Sequence, residues 1–212
     1  MQRSASNIPA SVLLTFDILE RAALAIMFGA MALTLLDNWQ ATGVLLNVIL
    51  LVSEGSVVVF ALIRRRPRDL SLRLADWFIA FAGTAIPLLV RPLDGANLVP
   101  LSFCMGLMLA GFILQIAAKF TLARSFGVVA ANRGVKVGGP YRLMRHPMYA
   151  GYLLAQVGFL LANPSAWNTV VYTLALAFQI KRILTEEELL GRDAAYRDFV
   201  VAVPYRLAPG IF

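Results

Sequence analysis

The sequence predicts an all-α integral membrane protein with about six transmembrane helices, and three observations predict it. Of its 212 residues, 59% are hydrophobic and 15% charged, against roughly 45–50% and about 25% in a soluble domain. Long apolar segments alternate with short polar ones along the whole chain. Every Lys and Arg except Arg91 falls in, or within a few residues of, the gaps expected on one side of the bilayer, as the positive-inside rule asks.

The segments follow in order. The first runs from about Ile18 to Leu36 and the second from about Gly43 to Ile63. A shorter third spans Trp77 to Val90, and a fourth runs from Leu98 to Leu122. Met148 to Ala162 and Ala166 to Ile183 form the last two, separated by Asn163-Pro164-Ser165. Pro inside one continuous helix would remove a backbone hydrogen bond. Asn163 and Pro164 therefore stop one helix and Ser165 caps the next, giving a helical hairpin.

Orientation follows from the cations. Arg64, Arg65, Arg66, Arg68 and Arg73 follow the second segment, and Lys119, Arg124, Arg133, Lys136, Arg142 and Arg145 follow the fourth. Lys181, Arg182, Arg192, Arg197 and Arg206 follow the sixth, and Arg3 and Arg21 lie at the N-terminal end. An even number of crossings puts all of these in the cytosol with both termini; an odd number would put the C-terminal group opposite the rest. One membrane domain is expected over 1–212, with N-terminal helices in 1–125 and a cofactor-binding core and cytosolic cap in 126–212. No cleavable signal is expected, because the first fifteen or so residues are mixed in character. The net charge of +7 belongs to the loops rather than to a soluble basic face, which argues against nucleic acid. Cys104, the single cysteine, sits in an apolar run and reads as a small packing residue. Arg64, Arg65, Arg66 and Arg68 are expected only to hold the orientation.

The tract from Gly134 to Gly151 carries the chemistry. Gly138, Gly139 and Pro140 force a turn. Tyr141, Arg142, Arg145, His146 and Tyr149 then crowd donors and π-faces into nine residues, and His146 is the only histidine. An interfacial belt would use such residues singly; the density with two Pro and several Gly exceeds what anchoring needs. A second group is Lys181, Arg182, Glu186, Glu187 and Glu188, where Arg182 and Glu186 share one helix face. An exposed pair there contributes only a few tenths of a kcal/mol, so a site for a ligand with both a cation and an anion is the sharper reading.

Arg145-His146-Pro147-x-Tyr149-x-Gly151, an apolar hairpin, and then Arg182-x-x-x-Glu186-Glu187 are similar to the isoprenylcysteine carboxyl methyltransferase family. Tyr196-Arg-Asp-Phe and Val203-Pro-Tyr-Arg206-Leu-Ala-Pro209 resemble that family's C-terminus. The resemblance covers about Arg133 to Phe212; the first four helices match only as apolar segments. It implies an S-adenosyl-L-methionine site in the membrane, built without a Rossmann domain. By correspondence, Arg133, Gly134, Val135, Lys136, Tyr141, His146, Pro147, Met148, Tyr149 and Glu186 would hold the cofactor. Arg182 matches the catalytic and substrate-binding position, where a guanidinium can pair with a carboxylate. The stretch from Glu187 to Tyr196 is slightly shorter than the family's pattern, which points to a trimmed C-terminal flap.

The implied activity is carboxyl O-methylation of an isoprenylcysteine-like or other lipophilic substrate, with membrane lipid as the surrounding partner and no metal. Phospholipid N-methylation and small-thiol S-methylation are chemically close alternatives. An NADPH-dependent sterol-type reductase is disfavoured, since that branch reads Asn where this chain has Met148 and Gly-Glu where it has Gly151-Tyr152. A non-enzymatic transporter or scaffold would spread polar residues through the spans, whereas here they gather at the cytosolic end. One exception is Glu54, midway in the second segment. It reads either as contact with a substrate's polar end or as a neutral acid bonded to Gln115 or Asn47. Gly106, Ala110 and Gly111 are small residues suited to close helix contact.

Overall fold

A computed structural model describes residues 9–43, 45–93 and 97–210. Arg3 and the side chain of Asn47 lie outside what is described. Each of the six apolar segments is helical: α1 (Ala10–Thr42), α2 (Leu45–Ile63), α3 (Leu74–Ala85, extended by a 3-10 turn at Ile86–Leu89), α4 (Leu101–Leu122), α5 (Pro147–Ala162) and α6 (Ala166–Leu190). A seventh helix, α7 (Ala194–Ala202), follows in the tail. Among the described residues, two helical stretches, Ala10–Thr42 and Leu101–Ser125, are long and apolar enough to cross a membrane; Leu50–Ile63, Leu74–Leu89 and Pro147–Ala162 are apolar but shorter.

Helix α1 begins eight residues before the apolar segment, at Ala10 rather than Ile18. Asp17 and Glu20 do not end it because both are buried against arginines from elsewhere in the chain. It stops at Gly43, whose left-handed backbone (φ 66°) suits a residue without Cβ. Helix α5 starts on Pro147, which has no N–H to lose at a first position. Ser165 caps α6 by accepting from the Asn168 amide at 3.0 Å, as the Asn-Pro-Ser turn predicts.

Helices α4 and α5 form the tightest pair, and they meet backbone to backbone. A Cβ on Gly111 would lie 2.6 Å from the Gly151 carbonyl, and one on Gly151 would lie 2.7 Å from the Gly111 carbonyl. Gly158 approaches the Cys104 carbonyl in the same way, and Cys104 is fully buried as the packing reading expects. Gly106 and Ala110 do not share this role: both are exposed, and nothing lies near Gly106. The buried stripe runs through Cys104, Gly111, Gln115 and Ala118; two residues on from Cys104 is about 200° round the helix, on its far side.

Helix α1 packs on α2, and α3 packs on α6. Two short strands, β1 (Asp69–Leu70) and β2 (Ala131–Asn132), pair antiparallel and tie the loop after α2 to the loop after α4. That loop, residues 126–136, lies between the helical groups and forms one wall of the principal cleft.

Candidate functional site

The cleft has a volume of about 1030 Å³, part of it open to solvent. Ten of the eleven residues expected at the site line it: Arg133, Gly134, Val135, Lys136, Tyr141, His146, Met148, Tyr149, Arg182 and Glu186. Pro147, the eleventh, is fully buried behind them at the start of α5.

The floor is a set of side chains from α5 and α6. The Tyr149 hydroxyl donates a short hydrogen bond to Glu186 Oε1, and the Arg182 guanidinium lies 5.2 Å from the Tyr149 ring centroid. His146 stands between two carboxylates: its Nε2 donates to Glu187 Oε1 at 3.2 Å, and its Nδ1 is 3.8 Å from Glu186 Oε2. Glu187 also accepts from Arg145 Nε (2.9 Å) and Arg206 Nε (2.8 Å). Burial raises the Glu187 pKa, but hydrogen bonds from His146 and Arg206 and the nearby positive charge outweigh it and bring it down to about 2. Tyr141 and Tyr196, both buried in the cleft wall, are pushed up by loss of water and by neighbouring carboxylates, so both stay as neutral phenols.

Arg182 does not reach along its own helix to Glu186, as the four-residue spacing suggests. It is buried and crosses to other elements instead: Nη1 donates to Thr84 Oγ1 on α3 (3.3 Å) and Nη2 to the Val128 carbonyl (3.1 Å). Its stem packs against Gly83, where a Cβ would come within 3.2 Å. Nε has no hydrogen-bond partner among the described residues. A buried guanidinium nitrogen without a partner is costly, and its place in the cleft suits an acceptor on a bound ligand.

Arg133, expected by correspondence to help hold the cofactor, turns its guanidinium toward two acids of α1. Its Nη2 lies 2.9 Å from Glu20 Oε2 and 3.2 Å from Asp17 Oδ1, so its side chain joins α1 to the cleft loop. Gly127 makes room for it: a Cβ there would sit 2.2 Å from Arg133 Nη1. Arg64 enters the same cluster, 2.8 Å from Asp17 and 2.9 Å from Glu20, with its side chain fully buried. The expectation that Arg64 merely sets orientation is therefore corrected; its neighbours Arg65, Arg66 and Arg68 are exposed. Glu54 likewise has a partner other than Gln115: the fully buried Lys119 lies 3.1 Å away and also donates to Ser53 Oγ at 2.7 Å.

Thr84, Val128, Tyr152, Tyr196 and Phe199 also line the cleft and are absent from the sequence expectation. Tyr196 lies in the Tyr-Arg-Asp-Phe tail and could have been drawn from it. Thr84 and Val128 carry no local signal. Among the described residues no group of three His, Cys, Asp or Glu side chains is placed to hold a metal ion.

The geometry is that of a helical pocket at the end of apolar helices, and part of the chain is similar to known methyltransferases. Residues 100–195, which include α4, the cleft loop, α5 and α6, match the family model described as phospholipid methyltransferase. Over 99 residues the chain is 34% identical to protein-S-isoprenylcysteine O-methyltransferase A of Arabidopsis thaliana, covering 43% of this chain and 49% of that protein. It is 38% identical, also over 99 residues, to a probable protein-S-isoprenylcysteine O-methyltransferase of Oryza sativa subsp. indica, covering 41% and 51%. The chain spans about half the length of these curated relatives. The resemblance to isoprenylcysteine carboxyl methyltransferases drawn from the motifs agrees with these relatives.

Proposed function

We propose that this protein is a multi-pass membrane methyltransferase that uses S-adenosyl-L-methionine to methylate the carboxylate of a lipophilic, isoprenylcysteine-like acceptor. The observation that carries the reading is the convergence of Arg182, Tyr149 and Glu186 in one cleft, with a buried guanidinium nitrogen left unpaired. Bound there, S-adenosyl-L-methionine supplies an electrophilic methyl group on a sulfonium centre. His146, Tyr141, Tyr149 and Glu186, with the 133–136 backbone and Met148, form its binding surface. Glu186 offers a carboxylate to an ammonium or ribose hydroxyl, and the tyrosine rings offer π-faces to a cation. Arg182 is the catalytic residue, orienting the acceptor carboxylate by charge-assisted hydrogen bonds. Such a nucleophile is already ionised, so the rate gain rests on positioning and needs no general base.

Six crossings, cytosolic termini and a cleft opening to the cytosol complete the proposal, with 1–212 as one domain. The family model's name favours phospholipid N-methylation as a second reading. The buried guanidinium argues against it, because a cation repels a protonated amine and attracts a carboxylate.

Calorimetric titration of the 212-residue chain in mild detergent with S-adenosylhomocysteine tests the reading. Binding is expected, and His146→Ala and Glu186→Ala should each weaken it about tenfold or more. No binding by the wild-type protein would overturn the methyltransferase reading, and unchanged affinity in both variants would remove the site assignment.

A further inference from the structure

Glu20 lies on α1, outside the segment that resembles methyltransferases, yet it bonds to the loop that walls the cleft. Its Oε1 accepts from the backbone amides of Val128 (2.8 Å) and Val129 (3.0 Å). Its Oε2 faces Arg133 Nη2 and Arg64 Nη2, each at 2.9 Å. The carbonyl of Val128 accepts from Arg182 Nη2 at 3.1 Å. The Val129 N–H and the Val128 C=O belong to one peptide unit, so a single planar amide spans the two charged side chains. On one side a carboxylate receives its N–H; on the other its oxygen receives a guanidinium N–H. A carboxylate drawing on the N–H end polarises the amide and makes its oxygen a stronger acceptor. The same contact fixes the orientation of the plane, since a peptide unit turns as a rigid body.

We infer that Glu20 is a positioning residue that orients the Arg182 guanidinium through the Val128–Val129 peptide. With Nη2 held by that carbonyl and Nη1 by Thr84, the Nε edge is the part of the guanidinium left to meet a ligand. Asp17 shares Arg64 and Arg133 with Glu20. The contacts to the 128 and 129 amides, however, come from Glu20. The two acids therefore separate a purely structural role from a positioning one. The inference rests on the proposed function for what Arg182 binds, and the test distinguishes the two.

Wild type, Glu20→Gln and Asp17→Asn, each as the 212-residue chain, are titrated in detergent with three probes: S-adenosylhomocysteine, N-acetyl-S-farnesylcysteine, and the methyl ester of the latter. The ester keeps the lipid and lacks the charge that a guanidinium recognises. Glu20→Gln is expected to weaken the free acid about tenfold while leaving the ester and S-adenosylhomocysteine within about twofold. Asp17→Asn is expected to lower thermal stability similarly while keeping the preference for acid over ester. Should Glu20→Gln fail to fold, Glu20→Asp takes its place: it retains the charge facing Arg64 and Arg133 but draws the oxygens back from the amides. An unchanged acid-over-ester preference in the Glu20 variant overturns the inference. So does an equal loss of that preference in both acids, which would make the cluster a scaffold alone. If the wild type fails to bind S-adenosylhomocysteine, the methyltransferase reading falls, and the acid–ester contrast still judges the link from Glu20 to Arg182.

Discussion

Arg145 donates through Nε to Glu187 at 2.9 Å, and through Nη1 to the carbonyls of Val203 and Pro204 in the tail. This one guanidinium fastens three parts of the chain: the turn before α5, the end of α6 and the strap after α7. Backbone bonds from Arg145 N to the Tyr205 carbonyl and from His146 N to the Arg206 carbonyl complete the fastening. Glu187 is its anionic centre, so the tail's hold on the cleft depends on that carboxylate remaining charged.

Its pKa falls from 4.5 to about 2 on folding. A carboxylate depressed in the folded state contributes stability that is fully present above its unfolded value and is lost as pH falls through the folded one. Thermal melting in detergent should therefore show a decline as pH falls from about 4.5 to about 2 that Glu187→Gln lacks. At neutral pH that variant should be less stable by about 1–3 kcal/mol, because Arg145 and Arg206 lose an ionised partner. A wild-type profile in Glu187→Gln would refute this role.

Gly151→Ala should destabilise the protein by about 1–3 kcal/mol or more. The new methyl would meet the Gly111 carbonyl and the Gln115 amide, atoms that cannot swing aside. Gly106→Ala, with nothing near it, should be neutral or slightly stabilising, as Ala replaces Gly within a helix. Equal melting temperatures for the two variants would mean that α4 and α5 do not meet as described.

Arg64→Met should cost about 3–5 kcal/mol, since it leaves Asp17 and Glu20 buried with reduced compensation. Arg66→Met removes an exposed cation and should change stability by about 0.5 kcal/mol or less. Denaturation of the two variants side by side checks whether the cluster of five arginines after α2 divides as the contacts indicate.

Lys119→Met strands the Glu54 carboxylate beside Ser53, and Glu54→Gln strands the buried ammonium. Each alone should destabilise by about 3 kcal/mol or more, whereas the double variant should recover much of that loss. Strict additivity in the double-mutant cycle would show that the pair is not coupled.

Much of the helical layout was legible in the sequence, because apolar length and Pro, Gly and Ser punctuation are local properties. Four of the six segments end within a residue of their helices or of the turn that extends them, α6 runs on past Ile183 to Leu190, and the Asn163-Pro164-Ser165 break is where it was expected. α1 fits less well, since buried charge was read as the edge of an apolar run. The tract from Arg133 to Tyr149 was also legible, since its crowding of donors and rings is visible without coordinates. Arg182 and Glu186 were read as site residues, but the direction of Arg182 was not, because spacing along one helix says nothing of a rival carbonyl from another element.

The sequence by itself therefore determined the apolar segments and ten of the residues that line the cleft. Tertiary structure alone decided which of the cations are structural. Glu20 and Val128 meet across 108 positions, and Lys119 and Glu54 across 65. Such pairings arise only when helices bring distant polar groups together in a medium where an unpaired charge is costly. No periodicity records that choice of partner; the packing of α1 and α4 against their neighbours makes it.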